Sequence, residues 1–88
     1  MTVDVIGAFE CSLDSSIGEY GGPVPEGTSF AHLLDMLARM KADEMSYGKQ
    51  CRWLGWAQGV LAARGYLTLE QCKQINKRFS LPPPPVTP

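Results

Sequence analysis

Positions 52–71 read RWLGWAQGVLAARGYLTLEQ, from Arg52 to Gln71, and this stretch decides the fold. Stepped at about 100° per residue, Trp53, Leu54, Ala57, Val60 and Leu61 extend the arc begun by Tyr47 and Cys51 into one wide apolar face, with Trp56 at its edge. Gly55, Gly59, Ala62 and Ala63 gather on the opposite side, with Arg52 among them. The helix closes at Arg64-Gly65, because glycine adopts the left-handed conformation past a helix end at little cost. Three residues later Thr68 can cap a further helix, and Gln71 stands where its side chain reaches back to the Thr68 N–H. Leu67 is placed to staple against Cys72, and Leu69, Cys72, Ile75, Asn76 and Phe79 mark the inner face of this last helix. The link Gly65-Tyr66-Leu67 allows only a tight corner, so the two helices form a hairpin or a near-perpendicular pair.

Each glycine inside a helix costs about 1 kcal/mol relative to alanine, and two ask for roughly 2 kcal/mol of compensation. Close approach of another backbone is one source, since small residues four apart form a shallow groove. Gly55, Gly59 and Ala63 are therefore read as a helix-packing or dimer surface. Its occupant is a neighbouring helix of the chain, a second copy or a foreign protein. With large residues packed on one side and small ones on the other, this helix is expected to be the central element. About 50 helical residues make a marginal core, and two tryptophans are a large aromatic payload for it, which favours a homodimer.

Upstream, Phe30, Leu33, Leu34, Leu37 and Met40 recur at three-and-four spacing after the capping pair Thr28-Ser29, which predicts a helix over 29–42. The following helix starts between Asp43 and Tyr47, with Asp43 and Glu44 suited to the positive end of its dipole; Gly48 softens the boundary. Residues 1–27 hold Gly7, Gly18, Gly21, Gly22, Pro23, Pro25 and Gly27, so an irregular acidic segment is expected there. The weak alternation of Val3, Val5 and Phe9 admits one short strand. Residues 81–88, LPPPPVTP, read as a polyproline tail. The expected architecture is mainly α: a three-helix domain over 28–80 between these two segments.

The chain has 88 residues, 44% hydrophobic and 19% charged, in keeping with one small domain. The longest nearly uncharged apolar run, Trp53 to Ala63, falls short of the roughly 20 residues that cross a bilayer, so no membrane partner is expected. The N-terminus lacks a basic, apolar secretory signal, and Cys11, Cys51 and Cys72 lack metal-ligand or disulfide patterning. Reduced thiols and a cytoplasmic setting, in a bacterium or a bacterial virus, are the expectation. His32 has no spaced ligand or base partner, and no nucleophile, metal or phosphate-loop motif is present. No enzyme activity, cofactor or metal is expected.

Charge is lopsided. From Met1 to Asp35 there are six acids and no Lys or Arg, and every basic residue follows, from Arg39 to Arg78. An acidic segment folded over basic helices explains this, and so does a pair of faces for different partners. A nucleic-acid reading rests on Lys73, Lys77 and Arg78, with Gln71, Gln74 and Asn76 to read base edges. A pI near 5.7 and a turn that fits helix-turn-helix spacing poorly favour a solvated basic face instead.

The segment GKQCRWLGWAQGVLAARGYLTLEQCKQINKR, 48–78, resembles the C-terminal part of small phage and prophage accessory proteins with an R-W-L-G-x-x-Q-G-V-L pattern followed by G-x-x-T and an asparagine. The matching residues are Arg52, Trp53, Leu54, Gly55, Gln58, Gly59, Val60, Leu61, Gly65, Thr68 and Asn76. The resemblance implies a protein that binds and inhibits or redirects a host bacterial protein, as anti-defence and anti-CRISPR proteins do. Since aromatic and arginine side chains dominate binding hot spots, Arg52, Trp53, Trp56 and Tyr66 are the expected contact residues. The competing reading places both tryptophans in the core.

Overall fold

The start of the chain does not form an irregular arm. In the computed structural model, which describes residues 2–16 and 26–81, a helix α1 (Val5–Ser15) follows a two-residue strand β1 (Thr2–Val3). The breakers that suggested irregularity nearly all lie after Ser16; inside the helix there is only Gly7. Asp4 caps α1, its Oδ1 accepting from the Gly7 N–H at 3.0 Å. Val5, Ala8, Phe9 and Leu13 then fall on one helical face and are all buried. Val5, read as part of an extended alternation, belongs to this helix.

Three more helices follow: α2 (Phe30–Ala42), α3 (Tyr47–Ala63) and α4 (Leu69–Arg78), and a strand β2 (Ser80–Leu81). The chain is mainly helical, with four helices among the described residues rather than three. Ser29 caps α2, and Ser46 caps α3, accepting from the Lys49 N–H at 3.1 Å. Asp43 is instead the C-cap of α2, so the two helices are separate. Thr68 and Gln71 complete a capping box on α4, with bonds of 3.0 and 2.8 Å. Gly65, at φ 78°, ends α3 in the left-handed region. The polyproline residues lie outside the described residues, as does most of the acidic segment after Ser16.

β1 and β2 pair antiparallel, Thr2 with Leu81 and Val3 with Ser80, and the Asp4 N–H donates to the Phe79 carbonyl at 2.8 Å. Phe79 is thereby drawn over the start of α1. A Cβ added at Gly7 would sit 2.8 Å from the Phe79 ring and collide with the Asp4 carboxylate, so glycine is what lets the ring approach.

α2, α3 and α4 each pack more extensively on α1 than on one another. The central place expected for α3 therefore belongs to α1. The core joins Val5, Ala8, Phe9 and Leu13 to Leu33, Met36, Leu37 and Met40 of α2, Leu54, Ala57 and Leu61 of α3, and Leu67, Cys72 and Ile75. The apolar payload that a three-helix core lacked is supplied by α1, which removes the size argument for a dimer. Four residues assigned to apolar inner faces are exposed: Phe30, Leu34, Tyr47 and Leu69, the last at 67%. One ion pair, Lys41 with Glu10, ties acidic α1 to α2. No helix among the described residues is long and apolar enough to cross a membrane.

The core holds one polar network. Gln58 Nε2 donates to Ser12 Oγ at 3.0 Å and to Asn76 Oδ1 at 2.9 Å; Asn76 Nδ2 returns a bond to Gln58 Oε1 at 3.0 Å. Ser12 in turn donates to the Ala8 carbonyl at 2.7 Å. Every buried side-chain N and O among the described residues has a partner, so the network links α1, α3 and α4 without an orphan.

Candidate partner surface on the third helix

Burying Leu54, Ala57, Gln58 and Leu61 against the core turns the opposite side of α3 outward. Gly55 and Gly59 are exposed, and a Cβ built on either meets nothing within 4 Å among the described residues. Neither α2 nor α4 fills the small-residue side, contrary to the intrachain reading of these glycines. Gly55, Gly59 and Ala63 instead line one wall of an open cavity of about 410 Å³, completed by Trp56, Val60, Arg64 and Thr28. On the α4 side the same two glycines border a second hollow of about 250 Å³ with Gln58, Ala62, Leu69, Cys72, Lys73 and Asn76.

Trp56 is 50% exposed and also walls a third cavity, of about 440 Å³, between α2 and α3. Trp53, His32, Asp35, Met36 and Arg39 line the rest of it. Trp56 is thus a ridge between two concavities. Its position is fixed, because Nε1 donates to the Gly27 carbonyl at 2.9 Å, and Arg64 Nη2 donates to Thr28 Oγ1 at 3.1 Å about two turns further along. These two bonds strap the 27–28 segment to α3. An indole whose N–H is already satisfied offers apolar area at little further entropic cost.

The expected contact residues separate here. Trp53 and Trp56 share the α2–α3 cavity. Trp53 is half-buried against the core, with Lys49 Nζ 5.4 Å from its ring centroid, so the two indoles take different roles: one supports, the other is presented. Arg52 is exposed, on the glycine side. Tyr66 lies beyond the far end of α3, half-buried against the core, and lines none of the three cavities. His32, Asp35 and Arg39 were not singled out as contact residues. They form one face of α2, at i, i+3 and i+7, with Arg39 Nε donating to Asp35 Oδ2 at 2.9 Å. Only the packing of α2 beside α3 brings that face to the tryptophans.

On α4, Lys73, Lys77 and Arg78 are exposed, the guanidinium of Arg78 lying 5.6 Å from the Phe79 ring centroid. The amides assigned to base reading have other partners: Gln71 completes the capping box, Gln74 donates to Glu70 at 3.0 Å, and Asn76 pairs with Gln58. The α4 surface thus presents cations, while these amides are engaged within the fold.

Cys72 is buried and its thiol is pushed above the ordinary range by desolvation, partly offset by a backbone hydrogen bond. That makes it a poor nucleophile. Cys11 and Cys51 are half-buried, and all three are free thiols. Among the described residues no group of three or more His, Cys, Asp or Glu side chains is placed to hold a metal ion. Comparison with known proteins finds no matching family model, no similar curated protein and no similar solved structure.

Proposed function

We propose that the protein acts by protein–protein contact through the outward side of α3, as an accessory protein of the phage type that blocks or redirects a host bacterial protein. The observation that carries this reading is Trp56: half exposed, fixed through its N–H and standing between two cavities. Rigid aromatic side chains at the centre of a surface patch are the usual anchors of binding energy. The R-W-L-G-x-x-Q-G-V-L resemblance supplies the phage setting, and the motif's Trp53, Gly55 and Gly59 line the three cavities. The test is a pull-down from nuclease-treated bacterial lysate. One dominant protein should be retained by the wild type and lost with Trp56→Ala at unchanged thermal stability. Retention that ignores Trp56, or that disappears with nuclease, overturns the proposal.

A second reading, a nucleic-acid-binding regulator, rests on the cations Lys73, Lys77 and Arg78 on α4. Their replacement by Glu should abolish a duplex DNA mobility shift if it holds. A homodimer built on the α3 surface is the further alternative, read out by concentration-dependent mass in solution.

A further inference from the structure

Among the described residues, the charged side chains that line the apolar groove on α3 have one sign. From residue 47 to 81 the chain carries Lys49, Arg52, Arg64, Lys73, Lys77 and Arg78 against the single carboxylate Glu70. Among the described residues no carboxylate lines either hollow that borders Gly55 and Gly59, whereas Arg64 lines one and Lys73 the other. Arg52 stands in the same outward stripe as the glycines, at the groove's N-terminal end. The floor is backbone and methyl groups; the banks are Trp56 and Val60 on one side and the exposed Leu69 on the other.

Resting on the protein-binding reading above, we infer that this groove receives an acidic amphipathic helix of the partner protein. Gly55 to Ala63 spans about 12 Å, some two helical turns, enough to seat apolar side chains at i, i+4 and i+7. Bare glycine lets the incoming helix approach closer than the usual interaxial distance of about 8–10 Å. Its flanking carboxylates then meet Arg52 and Lys73. A second copy of this chain fits worse: a two-fold antiparallel pairing of α3 on itself sets one copy's Arg52 near the other's Arg64, so that cationic surface meets cationic surface, which is disfavoured.

The experiment installs the photocrosslinker p-benzoylphenylalanine in the full chain expressed in bacteria, at Ala63 in the groove and separately at Arg39 in the α2–α3 cavity, and identifies adducts by mass spectrometry. The expected result is an adduct from position 63 with an acidic, helix-forming segment of one foreign protein. Arg52→Glu with Lys73→Glu should lower its yield about tenfold or more. Adducts from 63 with a second copy, with a neutral or basic segment, or with nucleic acid overturn the inference. An adduct from 39 alone overturns it while leaving the protein-binding reading in place; none from either position removes both.

Discussion

Gln58 and Asn76 face each other across α3 and α4 as a reciprocal amide pair, each donating to the other's carbonyl oxygen at 2.9 and 3.0 Å. The pair couples two helices that otherwise make little contact, and Ser12 extends it into α1. Gln58→Leu removes the pair while leaving Ser12 and Asn76 facing apolar surface. A loss of about 1–3 kcal/mol is expected, since the cost of a stranded buried polar group exceeds the net worth of the bonds themselves. Urea denaturation checks it. A Gln58→Ala, Asn76→Ala double-mutant cycle should return a coupling of about 0.5 kcal/mol or more.

Gly55→Ala and Gly59→Ala are expected to stabilise the isolated chain. Each adds a Cβ to open space in a helix interior, so each should gain about 1 kcal/mol and raise Tm by about 4–8 °C. Thermal unfolding reads the gain, and unchanged or lowered stability would show that something already lies against these positions. The same substitutions should weaken partner capture, because the methyls narrow the groove. Stability and binding then move in opposite directions, the mark of a surface kept bare for another molecule.

The opposite sign is expected at Gly7, the glycine of α1 that lies under Phe79. Gly7→Ala forces the Phe79 ring and the Asp4 cap to move and should cost about 1–3 kcal/mol. Pairing it with Phe79→Leu, which withdraws the ring edge, should recover part of that loss in a denaturant titration; no recovery would place the conflict at the cap alone.

Alkaline pH should expose the buried thiol of Cys72. Its folded pKa is raised, so the folded chain holds this proton more tightly than the unfolded one. That preference is present in full below the unfolded thiol's value of about 8.5, and it is lost as pH climbs from there to the folded value. Stability should therefore fall across this alkaline window by more in the wild type than in Cys72→Val. Equal slopes in urea midpoints measured from pH 7 to 10 would refute the assignment.

Much of the helical part was legible because its boundaries are local chemistry. Ser29 and the Thr68–Gln71 box each hold their helix start through bonds within three residues, so the sequence contains the whole signal. α1 had such a signal too, in the Asp4 cap and the Val5, Ala8, Phe9, Leu13 spacing, but the glycines and prolines beyond Ser16 masked it. Periodicity also overcounts: Phe30, Leu34 and Leu69 have helical spacing yet face outward, because α1 supplies the partner surface and its position sets which part of each stripe is covered. At the candidate surface the sequence singled out Arg52, Trp53, Trp56, Gly55, Gly59 and Ala63, all on α3. His32, Asp35 and Arg39 reach it through the α2–α3 packing, and Gln58 found its partner residues on two other helices.

The pairing of Thr2 with Leu81 has a consequence for the order of events during synthesis. A nascent chain emerging from the ribosome carries Asp4 and Gly7 long before Phe79 and Ser80 exist to meet them. The helix on which the other three pack lacks its ladder until residues 79–81 have been made. Closure of the ladder is thus the late event, set by the arrival of residues 79–81 after all four described helices have been made.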